Sequence, residues 1–491
     1  MTKNTVEFVR NGKKVTLTDI VPTDSLLDYL RLTEGSYGTK EGCGEGDCGA
    51  CTVVLGRHLD GKMQYRPVNS CIYFIGMVDG QEVITVDDLA DSNGELHPVQ
   101  AAMVEKNAAQ CGFCTPGFVM ALFALYHDED AVTREKVTDQ LAGNLCRCTG
   151  YRPIVDAAID ACQNKVEDKF SKQMVANAKI LSALQNDDLF IGNDQRFFAA
   201  PKSAKSLSDL YAKHTDATLV SGATDVGLWV TKKLMDLPKI IFIGDVAELN
   251  QIEDSATQLT IGAAVTYADA EIAINSIDDD IAETVRRIGS KQVRESGTIG
   301  GNIANGSPIG DMPPILIAMG AKIYLQKAMV TRDLMVEDFF IAYGKQDIES
   351  GEFLTKFTIP KLKNNEYFRC FKISKRFDQD ISAVMAAFHF TIDDGVINSS
   401  RIAFGGMAAT PKRALATEAA LQGRVIADIG QSDKLFDKLA EDFSPLSDMR
   451  ASAEYRLKVV RGLLFKALNE VASVANKVEQ PNMRVIGKRG A

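Results

Sequence analysis

The sequence predicts an α+β protein built of several domains, and three observations carry that reading. Eight of the ten cysteines fall within the first 148 of 491 residues. Within that third, the hydrophobic pattern changes from alternating to helical near His97. Beyond residue 197, two glycine-rich loops follow apolar runs in a chain that again mixes strand and helix signals. With 45% hydrophobic residues the chain is globular, and its length suits about three or four domains. A net charge of −10 disfavours nucleic acid or an anionic membrane as a partner. The opening MTKNTVEFVRNGKKVTL has no apolar signal core, and no apolar run is long enough to span a bilayer, so a soluble cytoplasmic protein is expected. Cysteines in such a reducing compartment favour metal or redox chemistry over disulfides.

The first unit reads as α+β. Strands NTVEFV and VTLTDI flank Asn11-Gly12, a strong hairpin signal. Thr23 or Asp24 is placed to cap a helix over LLDYLRL, and Gln81–Val86 reads as a further strand. Between them lies KEGCGEGDCGAC, which admits two readings. Gly44, Gly46 and Gly49 spell G-x-G-x-x-G, whereas Cys43, Cys48 and Cys51 spell C-x₄-C-x₂-C, the plant-type iron–sulfur spacing. A dinucleotide loop needs a buried strand before it and a helix after it. Here LTEGSYGTK precedes, polar and glycine-broken, and Thr52–Leu55 reads as a strand, so that reading fails. The iron–sulfur reading needs a fourth thiolate, and Cys71 is available after a turn at Asp60-Gly61. Glycines suit a loop wrapped around a cluster, because they allow unusual φ values and amides aimed at sulfur. A disulfide or zinc is the plainer alternative for four cysteines, although zinc prefers paired C-x₂₋₄-C halves.

From His97 four apolar-periodic segments follow: VQAAMVEKNA, FVMALFALYHD, REKVTDQLAGN and IVDAAIDACQN. Cys111 and Cys114 (QCGFCTPG) and Cys146 and Cys148 (NLCRCTGYRP) lie in the breaks. Pro116 suits a first helical turn, which puts Cys114 at a helix N-terminus where the dipole favours thiolate; Pro153 suggests the same for Cys148. Two such pairs can converge on one metal centre, and zinc stays open for this set taken alone. Cys162 and Cys370 sit on apolar patterns and read as buried small hydrophobes. The five histidines are scattered singly and are expected to be structural. Residues 166–196 read as a charged linker with one amphipathic helical stretch. The glycine loops Leu219–Gly227 and Gly297–Asn302 follow it, and suit a phosphate-bearing ligand as well as they suit ordinary turns. A last α+β unit begins near Tyr367 with FRCFKIS, the charged turn KRFDQD and the hairpin HFTIDDGVI. The basic tail NMRVIGKRGA is expected to be loose.

The motifs KEGCGEGDCGACTV, QCGFCTPG, NLCRCTGYRP, SGATDVG and GTIGGNIANGSPIGD, in that order, resemble the molybdenum hydroxylases, and most of all the small iron–sulfur and flavin subunit of their bacterial xanthine dehydrogenase members. The resemblance implies a ferredoxin-like β-grasp domain over 1–88 with a 2Fe–2S cluster on Cys43, Cys48, Cys51 and Cys71. It implies a four-helix 2Fe–2S domain over 89–165 with a second cluster on Cys111, Cys114, Cys146 and Cys148. After the linker 166–196 come an FAD domain of the vanillyl-alcohol-oxidase type over 197–366, a C-terminal flavoprotein domain over 367–476 and the tail 477–491. By the same resemblance FAD meets Leu219, Val220, Ser221, Gly222, Ala223, Thr224, Asp225 and Val226 in a first pyrophosphate loop, and Thr298, Ile299, Gly300, Gly301 and Asn302 in a second. Asp311, Leu354 and Lys372 match further flavin contacts. Ile288 stands where animal relatives place a phenylalanine beside the flavin ring; an aliphatic side chain covers a ring without stacking on it.

No residue of the chain is a candidate for oxidising an organic substrate at carbon. The resemblance therefore implies an electron-transfer role in purine oxidation, with electrons arriving from a larger molybdopterin-bearing subunit and leaving to NAD⁺; the same subunit of an aldehyde- or N-heterocycle-oxidising molybdenum hydroxylase, or a non-catalytic zinc-bound scaffold, stays open. It implies a heterotetramer of two heterodimers. If both cysteine sets are iron–sulfur ligands, anaerobically purified protein should contain roughly four iron and four acid-labile sulfides per chain. Cys43→Ser or Cys114→Ser should each remove about half of the iron. Stoichiometric zinc in place of iron would exclude this reading.

Overall fold

The computed structural model of the protein describes residues 2–59, 61–128, 130–163, 165–184, 187–430 and 433–475. Asp60 of the expected turn, Asn164 and the tail 477–491 lie outside them. Val6–Arg10 and Lys13–Leu17 pair antiparallel about Asn11 and Gly12, whose φ values of 51° and 67° are those of a primed two-residue turn. A five-stranded sheet runs in the order Lys13–Leu17, Val6–Arg10, Glu82–Ile84, Thr52–Leu59, Lys62–Asn69. Two expectations are corrected here. The helix Leu26–Asp28 is capped by Ser25, whose hydroxyl accepts the Asp28 N–H at 3.0 Å, and not by Thr23 or Asp24. The strand expected over 81–86 spans only Glu82–Ile84, because Thr85 and Asp88 form a capping box that turns the chain into a 3₁₀ turn.

Four helices follow: Pro98–Glu105, Thr115–Tyr126, Arg134–Leu141 and Arg152–Gln163. Thr115–Tyr126 is buried from Gly117 onwards, which explains a sequence apolar all round rather than on one face. Cys162 and Cys370 are buried, as their patterns suggested.

The segment expected to be a linker contains the expected helical stretch but is built into both halves. Lys169–Leu184 is a helix lying on the first sheet, where Asn177 Nδ2 donates to Glu82 Oε1 at 2.8 Å. Asp188–Asn193 is a strand of the next sheet, which runs Thr2–Lys3, Asp188–Asn193, Arg196–Ala200, Lys239–Phe242, Thr218–Val220. The N-terminal residues Thr2–Lys3 thus pair with a strand almost two hundred residues away. Periodicity missed this because the apolar Leu189–Ile191 sits between charged and polar runs and shows no clean alternation. A second five-stranded sheet, ordered Ile252–Asp254, Gln258–Gly262, Phe353–Pro360, Lys322–Lys327, Val330–Met335, completes the central region. The last unit is a meander of Glu366–Ile373, Val384–Asp393, Val396–Gly405 and Lys412–Arg413, backed by the helix Ala453–Ala475.

Histidines that stand apart in sequence are paired in the fold. His97 Nε2 and His127 Nε2 lie 2.8 and 2.9 Å from Asp168 Oδ2, while Asp168 Oδ1 accepts the Ser171 N–H at 2.8 Å. One carboxylate therefore ties three helix ends together. These ligand-type atoms lie within 4.8 Å of one another. His97 Nδ1, however, accepts the Val99 N–H, so its Nε2 carries the ring proton and has no lone pair for a metal. Burial pushes the Asp168 carboxyl up, but the His127 and His97 hydrogen bonds outweigh it and hold the group far below the usual carboxylate range. A depressed folded-state value stabilises above the unfolded value and is lost as pH falls. Asp168→Asn should cost about 1.5–3 kcal/mol at pH 7, with the deficit shrinking below about pH 4. Thermal denaturation of both proteins from pH 7 to pH 3 checks this; a pH-independent gap would show that the charge is irrelevant.

Candidate functional site

The first cysteine loop is shaped by glycines. Gly44, Gly46 and Gly49 all have positive φ, between 63° and 77°, which turns backbone amides inward. Cys43 Sγ accepts from the N–H groups of Glu45, Asp47 and Cys48 at 3.3–3.4 Å, and Cys48 Sγ accepts from Cys43 N–H at 3.3 Å. The hydrogen bond from the Cys48 thiol, with those amides, draws the Cys43 thiol down to about 5, while Cys48 is pushed up by that bond and by burial. Cys51 and Cys71 form a second, buried pair, with sulfurs 3.3 Å apart. The Cys43 charge acts on both Cys51 and Cys71, so the two pairs lie near each other.

The second set repeats the pairing. Cys148 Sγ lies 3.8 Å from Cys111 Sγ, and Cys114 meets Cys146. The expectation that helix dipoles favour thiolate at Cys114 and Cys148 does not hold. Burial and the Cys146 thiol push Cys114 up to about 12, although it is the N-cap of Thr115–Tyr126. Cys148 is raised by the Cys111 thiol and lies four residues before the helix Arg152–Gln163, across a turn at Gly150 and Tyr151. Cys146 is instead drawn down: the Thr149 hydroxyl and amide outweigh its burial.

This pairing tests the metal. A tetrahedral zinc with Zn–S bonds of about 2.3 Å would gather four sulfurs to within about 4 Å of one another. Among the described residues, three ligand atoms within 4.8 Å occur at His97, His127 and Asp168 and not in either cysteine set. Sulfurs gathered as two pairs suit a two-iron group, with two thiolates for each iron.

A cavity of about 510 Å³ opens between the central region, the C-terminal meander and the first cysteine loop. Of the residues matched to flavin contacts, all but Val220 and Ile299 line it. Those two side chains are buried in the core, which leaves only their backbone to offer a ligand. Thr298 caps the helix Ile299–Asn305, so the second glycine loop presents a helix start to the cavity. Ser221 Oγ and Asn302 Oδ1 are buried without a partner, as expected of groups that await a polar ligand. The glycine at 222 has a different task from leaving pyrophosphate room: a Cβ there would lie 1.9 Å from the Ser296 carbonyl, so it lets the two loops touch. Lys372 Nζ and Asp311 Oδ2 pair at 2.5 Å, and Ser382 Oγ donates to Asp311 Oδ1 at 2.5 Å. Burial raises the Asp225 carboxyl. The residues present therefore fit FAD.

Sequence reasoning missed part of this wall. Gly46 and Asp47 of the cysteine loop line the cavity, and so do Gln379–Ser382 from the charged turn. Gln379 Nε2 donates to the Asp47 carbonyl at 3.0 Å, closing the two segments over one edge. Their sequence signals were a cysteine spacing and turn composition, neither of which says what a loop faces.

Comparison with known proteins agrees with this division. Residues 8–75 match the 2Fe-2S iron-sulfur cluster binding domain family and residues 85–159 the [2Fe-2S] binding domain family. Residues 193–362 match the FAD binding domain in molybdopterin dehydrogenase, and residues 369–471 the CO dehydrogenase flavoprotein C-terminal domain. The chain is therefore an iron–sulfur flavoprotein with two 2Fe–2S domains, an FAD-binding domain and a C-terminal flavoprotein domain. It belongs to the molybdenum hydroxylase family. It is 32% identical to the xanthine dehydrogenase/oxidase of Rattus norvegicus over 85% of its own length, and 29% identical to the xanthine dehydrogenase of Emericella nidulans over 96%. It spans 35% and 39% of those relatives. Among solved structures, a reconstituted CO dehydrogenase from Oligotropha carboxidovorans is similar with a TM-score of 0.51 and 27% identity, over 58% of this chain and 99% of that one.

Gly222→Leu should drive the two glycine loops apart and yield protein without flavin. Ser221→Ala deletes one unpartnered hydroxyl, so it should weaken FAD binding about three- to tenfold and leave the melting temperature of flavin-free protein unchanged. Flavin titration with calorimetry checks both; equal affinity in Ser221→Ala would remove that hydroxyl from the site.

Proposed function

We propose that this chain is the iron–sulfur and flavin subunit of a xanthine dehydrogenase, carrying electrons from a molybdenum centre on a larger partner subunit to NAD⁺ during purine oxidation. The observation that carries this reading is the shared wall: Gly46 and Asp47, inside the first cysteine loop, line the flavin cavity. A thiolate-held group there lies one loop away from a bound flavin. Bound FAD and iron–sulfur groups supply hydride and single-electron exchange, which protein side chains do not.

The chain's own residues hold and orient. The glycine loops offer amides to the cofactor phosphates, Ile288 lies in the cavity wall, and the Lys372–Asp311 pair braces its far side. Lys232 reaches the Cys43 carbonyl and pairs with Glu45, which fixes the cysteine loop against the helix that follows the first glycine loop. The second cysteine set opens outward: Cys111 and Cys148 are exposed, and Phe113 beside them is 50% exposed. That exposed edge supports a partner docked over the second set, and the family resemblance suggests a heterotetramer of two heterodimers. The likeness to a CO dehydrogenase supports a second reading, the same subunit of another molybdenum hydroxylase, because substrate choice resides in the partner.

If flavin and nicotinamide chemistry both belong to the C-terminal half, neither cysteine set is needed for it. The holoenzyme carrying Cys48→Ser and Cys146→Ser should still oxidise NADH with an artificial dye, while xanthine-to-NAD⁺ turnover is lost. Loss of NADH–dye activity with FAD still bound would mean that the nicotinamide route depends on a cluster.

A further inference from the structure

The two cysteine loops meet backbone against backbone. The Leu145 N–H, next to Cys146, donates to the Cys48 carbonyl at 3.0 Å. No side chain fits in this contact. A Cβ on Gly49 would lie 2.2 Å from the Gly143 carbonyl oxygen, and one on Gly117 would lie 2.1 Å from the Gly49 carbonyl oxygen. A buried amide network holds the seam. Asn144 Nδ2 donates to the Gly49 carbonyl at 3.0 Å and reaches Thr52 Oγ1 at 3.3 Å. Gln292 comes from the flavin half, and its Nε2 donates to Asn144 Oδ1 at 2.8 Å and to Thr52 Oγ1 at 3.2 Å. Thr52, Asn144 and Gln292 are 1%, 2% and 0% exposed.

None of the three offers a thiolate, and none lines the flavin cavity. Their hydrogen bonds join three domains where the two cysteine loops meet. Buried amides are directional, and each bond lost leaves a desolvated group without a partner. Apolar residues of similar volume would fill this space without dictating the spacing of the loops. The arrangement selects one spacing.

Resting on the function proposed above, we propose that Asn144 and Gln292 are positioning residues that set the separation of the two iron–sulfur groups by holding Cys48 against Leu145. The test uses the holoenzyme reduced with dithionite, in which two reduced clusters couple magnetically through space. Gln292→Leu and Thr52→Val should keep wild-type iron content and both electron paramagnetic resonance signals but show a smaller dipolar splitting. Amide hydrogen exchange at Leu145 should be faster in the same variants. Thr52→Ser, which keeps the hydroxyl, should restore the wild-type splitting. Asn144→Leu lies closer to the cysteines; if it loses iron, Gln292→Leu, from the other domain, decides. An unchanged splitting in Gln292→Leu and Thr52→Val, whatever their melting temperatures, would reduce the network to ordinary packing and overturn the inference alone. A wild-type enzyme without two iron–sulfur signals would overturn the function proposed above and this inference with it.

Discussion

Close approach of backbone to backbone, with no side chain between, is the constraint on which this molecule depends. It occurs where the cysteine loop meets the helical domain, at Gly49 and Gly117, and where the two glycine loops meet, at Gly222. It recurs at Gly227, where a Cβ would lie 2.8 Å from the Ile72 carbonyl oxygen, next to Cys71. Each glycine costs conformational entropy that alanine would save. In return, segments far apart in sequence come within one peptide's thickness. For a chain whose cofactors exchange electrons through protein, that thickness matters more than any single side chain.

The domains are not separate cores joined by strings. One hydrophobic cluster contains Val6, Phe8 and Val53 of the first sheet together with Phe198, Val220 and Ile240 of the flavin half. Directional bonds then set the register across the seams. Arg66 makes a two-pronged contact with Asp269 at 2.9 and 2.6 Å, and Arg286 reaches Asp139 at 2.7 Å. An exposed ion pair contributes little, but Arg66 is largely buried and its fork admits one orientation. The buried core supplies most of the attraction, and these pairs choose among the ways it can be satisfied.

Much of this was written in local sequence. The Asn11-Gly12 hairpin, the four helices and the spacing of the cysteines are short-range signals, each set by turn chemistry or by periodicity within a dozen residues. The glycine loops were visible for the same reason, since small residues after an apolar run mark a tight turn. What was misread is also instructive. The linker reading failed because Asp188–Asn193 was hidden among charged residues and one of its pairing partners, Thr2–Lys3, lies at the other end of the domain order. Dipole reasoning at Cys114 failed because burial, followed by the neighbouring sulfurs, outweighs the helix.

The sequence by itself determined the inventory: which residues can bind metal, which loops can bind phosphate, and the order of the domains. Only the tertiary structure decided the pairing of Cys43 with Cys48 and of Cys51 with Cys71, the meeting of His97 and His127 on Asp168, and the use of Gly46 and Asp47 as a wall of the cavity that the glycine loops line. The reason is physical. Spacing along a chain fixes what a segment can do within a turn or two, whereas what it faces depends on distant segments that bury the same surface. Those contacts form only when the whole chain has packed.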